Sequence, residues 1–98
     1  MMNRERILSI LRTHREELRN QFGVLEIAVF GSAVRDDMSA ASDIDIAVEL
    51  SREGKTLHNY LELERYLSRI LEVPVDLGIK DTLKPEVRKA VESEMIYV

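Results

Sequence analysis

Two short apolar runs decide most of what this chain can fold into. Val24–Phe30 is rich in β-branched and aromatic residues and too short for a stable helix, and residues 43–50 alternate polar side chains with Ile44, Ile46, Val48 and Leu50. Both read as strands, since a strand sends successive side chains to opposite faces. Gly31-Ser32 closes the first run, ten residues follow Ser32, and Asp43-Ile44-Asp45 opens the second. If Ile44, Ile46 and Val48 face a core, Asp43 and Asp45 must project together from the opposite face.

The segments around these strands carry helical periodicity. Asn3 is placed to cap a helix running to about residue 20, with the stripe Ile7, Leu11, His14 and Leu18 widened by Leu8 and Ile10. Thr56 is placed to cap a second long helix ending near Glu72, with Tyr60, Leu63, Leu67 and Ile70 at the centre of its buried face. Residues 73–79 read as a third strand in which Val75, Leu77 and Ile79 share one face, leaving Asp76 on the other. Pro85 suits the first turn of a last helix through about residue 94, Asp81 or Thr82 would start or cap it, and residues 96–98 would form a terminal strand. Strands and helices interleaved in this way predict an α/β (α+β) architecture: a single small mixed β-sheet flanked by helices, one domain over residues 1–98.

Composition narrows the function classes. Without cysteine there is no disulfide framework and no thiolate chemistry, and a reducing cytoplasmic location is expected. No apolar run approaches the roughly 20 residues that span a bilayer, and the opening residues lead into a charged amphipathic segment rather than a signal peptide. A formal net charge of −4 argues against nucleic acid as a partner.

If the second and third strands are neighbours, Asp43, Asp45 and Asp76 meet on one face. Two carboxylates about 4 Å apart repel by roughly 4 kcal/mol at an effective dielectric near 20, so a cation belongs there. Hard oxygen ligands favour Mg²⁺ or Mn²⁺, and Mg²⁺ takes one or two protein carboxylates and fills its shell with water and substrate phosphates. A nucleoside triphosphate therefore fits as the other ligand. Gly31 offers a backbone that phosphate can approach, and Ser32 a hydroxyl and an amide.

Gly31-Ser32, ten residues, Asp43-Ile44-Asp45 and a later Val75-Asp76-Leu77 resemble the nucleotidyltransferase motif of the DNA polymerase β superfamily, and more narrowly the minimal nucleotidyltransferase (MNT) proteins. The resemblance spans nearly the whole chain, from the opening helix to Met95-Ile96-Tyr97-Val98. It implies the polymerase β-like fold and Mg²⁺-dependent transfer of a nucleoside monophosphate, AMP from ATP, to an acceptor hydroxyl. Carried over by position, Asp43 and Asp45 hold two metal ions, Asp76 completes the site and helps deprotonate the acceptor, and Gly31 and Ser32 hold the triphosphate. The resemblance also implies a hetero-oligomer with a helical HEPN partner, in which this chain is the antitoxin and a tyrosine of the toxin is the acceptor.

Other residues have plainer readings. Arg35 is either a neutraliser of triphosphate charge or a surface arginine beside Asp36 and Asp37, which read as solvated turn residues. His14 reads as a packing histidine, His58 has no evident partner, and Glu64 suits an edge position or a salt bridge. Arg12, Arg15 and Arg19 flank one side of the first helix, and a solvated face is favoured over a docking stripe. Two functions outside protein modification stay open from the residues: a module that neutralises a partner by occlusion, and a transferase acting on a small-molecule hydroxyl.

Overall fold

The structure, a computed structural model, describes residues 3–31, 43–82, 84–93 and 95–98. Chain order is α1 (Arg4–Thr13), α2 (Arg15–Phe22), β1 (Val24–Phe30), β2 (Ile44–Leu50), α3 (Leu57–Leu71), β3 (Val75–Ile79), α4 (Pro85–Glu92) and β4 (Ile96–Tyr97). The strands form one mixed sheet in the order β3-β2-β1-β4. β1 runs antiparallel to both β2 and β4, and β2 runs parallel to β3.

The expected first helix is two helices. Asn3 does cap α1, its side chain accepting the Arg6 N–H at 2.9 Å. The break falls at His14, whose φ of −100° and ψ of 6° leave the helical region. There the imidazole Nδ1–H donates to the Ile10 carbonyl at 2.8 Å, a local bond that competes with helix continuation. The His14 carbonyl then accepts the Leu18 N–H at 2.9 Å and starts α2. The apolar stripe survives the break, because Ile7, Leu11 and Leu18 are all fully buried.

Thr56 caps α3 by accepting the Asn59 N–H at 3.1 Å, and Glu72 ends it in the left-handed region at φ 59°. The buried face of α3 is Leu63, Tyr66, Leu67 and Leu71, one step round from the expected one, with Tyr60 and Ile70 half-buried at its margins. Helices α2 and α3 pack on the sheet at β1 and β3, and α1 packs on both of them. Ile27, Val29, Ile44, Ile46, Val48, Val75 and Leu77 meet this helical layer to form the core. Among the described residues no helix is long and apolar enough to cross a membrane.

Two boundaries move for identifiable reasons. The third strand starts at Val75 rather than residue 73, since Pro74 has no N–H for the ladder, although its carbonyl accepts the Ile44 N–H at 3.0 Å. Asp81 and Thr82 do not cap the last helix. They lie in a 3-10 turn (Lys80–Thr82), where Asp81 accepts from the Lys55 ammonium at 2.7 Å and Thr82 donates to the Ile79 carbonyl at 2.8 Å. The first helical bond of α4 runs instead from the Arg88 N–H to the Lys84 carbonyl.

Tyr66 is the polar exception in the core, with its hydroxyl donating to the Glu17 carboxylate. Burial, and then the negative charge of Glu17, push its pKa up to about 12. The folded chain therefore holds this proton more tightly than the unfolded one, whose tyrosine ionises near 10. The associated stability is fully present below pH 10 and is lost as pH rises through 12. Tyr66→Phe is expected to remove the part of the alkaline stability loss between pH 10 and 12 that this group causes. Denaturant titrations of both proteins at stepped alkaline pH check it.

Candidate active site

Strand register builds the site. In the parallel pair, Ile44 lies opposite Val75, Asp45 opposite Asp76 and Ile46 opposite Leu77. On the other side of β2, Asp45 lies opposite Phe30. Because Ile44 and Ile46 are fully buried and Val75 and Leu77 nearly so, Asp45 and Asp76 project from the face away from the helices. Neighbouring strands lie about 4.8 Å apart, so the two carboxylates stand side by side. Asp45 is half-buried and Asp76 exposed, and Asp43 is exposed one residue before β2. The structure thus brings together the pair that strand parity predicts.

Gly31 stands against Asp45, and its role is more specific than the sequence suggests. It follows β1 with φ at +71°, and a Cβ there would collide with the Asp45 carboxylate, lying 3.1 Å from its carbon. The glycine is therefore needed for close approach of the chain to Asp45, in addition to any phosphate. Ser32 and Arg35, the other two residues predicted to hold the triphosphate, lie outside the described residues, as do Asp36 and Asp37.

Sequence reasoning assigned no site role to Tyr60. Its hydroxyl donates to the Leu77 carbonyl at 2.6 Å and pins β3 one residue beyond Asp76. Burial, then the negative charges of Glu64 and Asp76, raise its pKa above the ordinary tyrosine value. The available signal was a tyrosine on an apolar helical face, where the hydroxyl requires a partner.

Among the described residues no three of His, Cys, Asp and Glu converge into a compact metal-holding group. The donor set that the register shows is the Asp45 and Asp76 pair, with Asp43 exposed one residue before β2. That set fits Mg²⁺ or Mn²⁺, which accept one or two protein carboxylates and complete their shell with water and phosphate oxygens. Among the described residues no ion pair engages Asp43 or Asp76.

Comparison with known proteins adds to this geometry. The family model described as a nucleotidyltransferase domain matches residues 11–98. Over 98 residues the chain is 46% identical to the protein adenylyltransferase MntA of Thermococcus cleftensis, covering 100% of this chain and 98% of that one. A solved structure provisionally described as a minimal nucleotidyltransferase superimposes with a TM-score of 0.81 at 32% identity, over 97% of this chain and 95% of that one. A toxin-antitoxin crystallised with AMP-PNP superimposes with a TM-score of 0.70 at 25% identity, over 98% of this chain and 72% of that one.

Proposed function

This chain belongs to the nucleotidyltransferase domain family, and on that premise we propose that it transfers AMP from ATP to a tyrosine hydroxyl of a partner HEPN toxin in the cytoplasm, acting as its antitoxin. Its sheet and helices are the polymerase β-like nucleotidyltransferase fold. The observation that carries the reading is the register of Asp45 against Asp76, with Gly31 in close approach to Asp45 at the end of β1. The similarity to an adenylyltransferase along the whole chain and to a toxin-antitoxin bound to an ATP analogue supports the nucleotide and the partner.

Asp43, Asp45 and Asp76 would hold Mg²⁺, with two ions suiting the reaction and Mn²⁺ able to replace them. Held by these carboxylates, such an ion would neutralise phosphate charge and stabilise the attacking and leaving oxygens. Gly31, Ser32 and Arg35 hold the triphosphate so that its α-phosphorus faces the acceptor. The acceptor oxygen bonds to that phosphorus, the bond to the oxygen bridging the β-phosphate breaks, and pyrophosphate leaves with the electron pair. Asp76, the more exposed of the paired carboxylates, takes the hydroxyl proton and passes it to water. Positioning and charge neutralisation supply most of the rate in such transfers.

The test is incubation of the chain with α-labelled ATP, Mg²⁺ and the HEPN product of the neighbouring gene. A substoichiometric amount is expected to label and inactivate many copies of the toxin. Inhibition that saturates at equimolar protein and ignores ATP would replace modification with occlusion.

A further inference from the structure

At the far end of β1 from the carboxylate pair, the structure forms a cleft of about 200 Å³ between α2 and the β1-β4 edge. Its walls carry Arg15 and Arg19 from α2, Leu25 and Glu26 from β1, and Tyr97 and Val98 from the terminal strand. Arg12 joins the same two arginines around an adjoining open depression, where Glu16 is the single acid beside three arginines. The break at His14 does not disperse this stripe, and among the described residues none of the three arginines forms an ion pair. The nearest acid on β1 is already occupied: Glu26 accepts from the Lys80 ammonium at 3.5 Å. The cleft is therefore cationic in a chain whose net charge is −4.

Its rim is apolar. The pairing of β1 with β2 shifts register between Val24 and Glu26, and Leu25, the extra residue in that bulge, is left 52% exposed. Tyr97 is 46% exposed on the opposite lip. A bulge discourages addition of another strand at this edge, so the cleft suits a side-chain-driven ligand better than strand pairing. An exposed apolar rim also suits the side chains of a protein segment better than a nucleic-acid backbone.

We infer that this cleft is a docking surface for an acidic, apolar-anchored segment of a partner protein, with its carboxylates on Arg15 and Arg19 and an apolar side chain against Leu25 and Tyr97. Identifying that partner with the acceptor toxin rests on the proposed function; binding itself does not. From Leu25 to Phe30, which lies opposite Asp45, β1 runs five residue steps, about 17 Å, and Tyr97, paired with Ala28, bounds the cleft on the side nearer the carboxylate pair, so a segment anchored at Arg15, Arg19 and Leu25 leaves another part of the partner to reach Asp76. Such a contact raises affinity for the partner and leaves the chemical step alone.

The experiment uses the intact chain, without ATP, and three sets of fluorescent eight-residue peptides in which leucine or phenylalanine alternates with aspartate or glutamate, with lysine, or with serine. The acidic set is expected to bind, to weaken as salt rises, and to shift the NMR amide signals of Leu25, Ile27 and Val98. Arg15→Glu with Arg19→Glu is expected to weaken that binding at least tenfold, whereas Arg65→Glu, an exposed arginine of α3 that lines neither depression, is expected to leave it unchanged. Melting temperatures show whether each variant is folded, and Arg19→Gln supplies a milder test should the double variant unfold. Absence of binding by every acidic peptide, equal binding of the lysine or serine sets, insensitivity to the arginine variants, or preference of the same residues for a single-stranded RNA oligonucleotide would each overturn the assignment. Loss of AMP transfer with peptide binding intact would instead count against the proposed function alone.

Discussion

Asp45→Asn is expected to slow nucleotidyl transfer at least 10³-fold while the melting temperature holds or rises. The substitution keeps the shape of the side chain against Gly31 while exchanging a charged acceptor oxygen for a neutral amide, so packing has little to lose. In the absence of metal the variant also relieves repulsion between neighbouring carboxylates, which stabilises the fold. A 10³-fold loss corresponds to about 4 kcal/mol of transition-state stabilisation, a reasonable share for one carboxylate in a reaction driven by charge neutralisation. Asp76→Asn is expected to behave in the same way. Asp81→Asn is the matched control, since it removes a carboxylate from the same segment of chain but only breaks the pair with Lys55. It is expected to leave turnover intact and to lower stability slightly at neutral pH. The Lys55 hydrogen bond holds the Asp81 carboxyl below its usual pKa, so the stability it adds is present above the ordinary carboxylate range. That contribution fades as pH falls through the lowered value. Label transfer and thermal melts on the same preparations decide the matter. Turnover near the parent rate in both Asp45→Asn and Asp76→Asn would remove the pair from the chemistry.

The part of this site that could be read from sequence is the part that depends on alternation. Asp45 and Asp76 were placed by the parity of Ile44-Asp45-Ile46 and Val75-Asp76-Leu77, and the parallel register then sets them side by side. Alternation is a local property, and burial of one face enforces it. Contacts made across the fold have no such signature. Nothing near Gly31 in the sequence indicates that it must clear the Asp45 carboxylate, and nothing near Tyr66 points to Glu17, 49 residues away. The helix break at His14 was hidden for a different reason. Its side chain lies on the apolar stripe, so periodicity runs through it, and the competing bond to the Ile10 carbonyl appears only once the ring is placed. The arginine stripe was read as a solvated face, and Arg12, Arg15 and Arg19 are all exposed; what spacing could not show is the cleft that β1 and Tyr97 form beside Arg15 and Arg19.

Gly31→Ala is expected to lower transfer at least 100-fold, with only a modest loss of stability. Two costs are imposed at this position and they fall on different measurements. A Cβ residue held at φ +71° is strained by about 1–2 kcal/mol, which for a domain of this size lowers the melting temperature by roughly 4–16 °C. The collision with Asp45 is relieved more cheaply, because the obstructing atoms are a side-chain carboxylate that can rotate away. Rotation restores packing but removes the carboxylate from its place beside Asp76, and a displacement of about 1 Å in a reacting constellation costs on the order of 10²-fold in rate. Gly23→Ala separates the two effects. Gly23 has a nearly identical φ of +70° at the end of α2, and its added Cβ would meet Ser51 rather than a site residue. The two variants should therefore melt at similarly lowered temperatures, while only Gly31→Ala loses turnover when both are assayed well below their melting points. If Gly31→Ala transfers AMP as fast as Gly23→Ala, the close approach of Gly31 to Asp45 has no part in catalysis, and the glycine serves only the turn that follows β1.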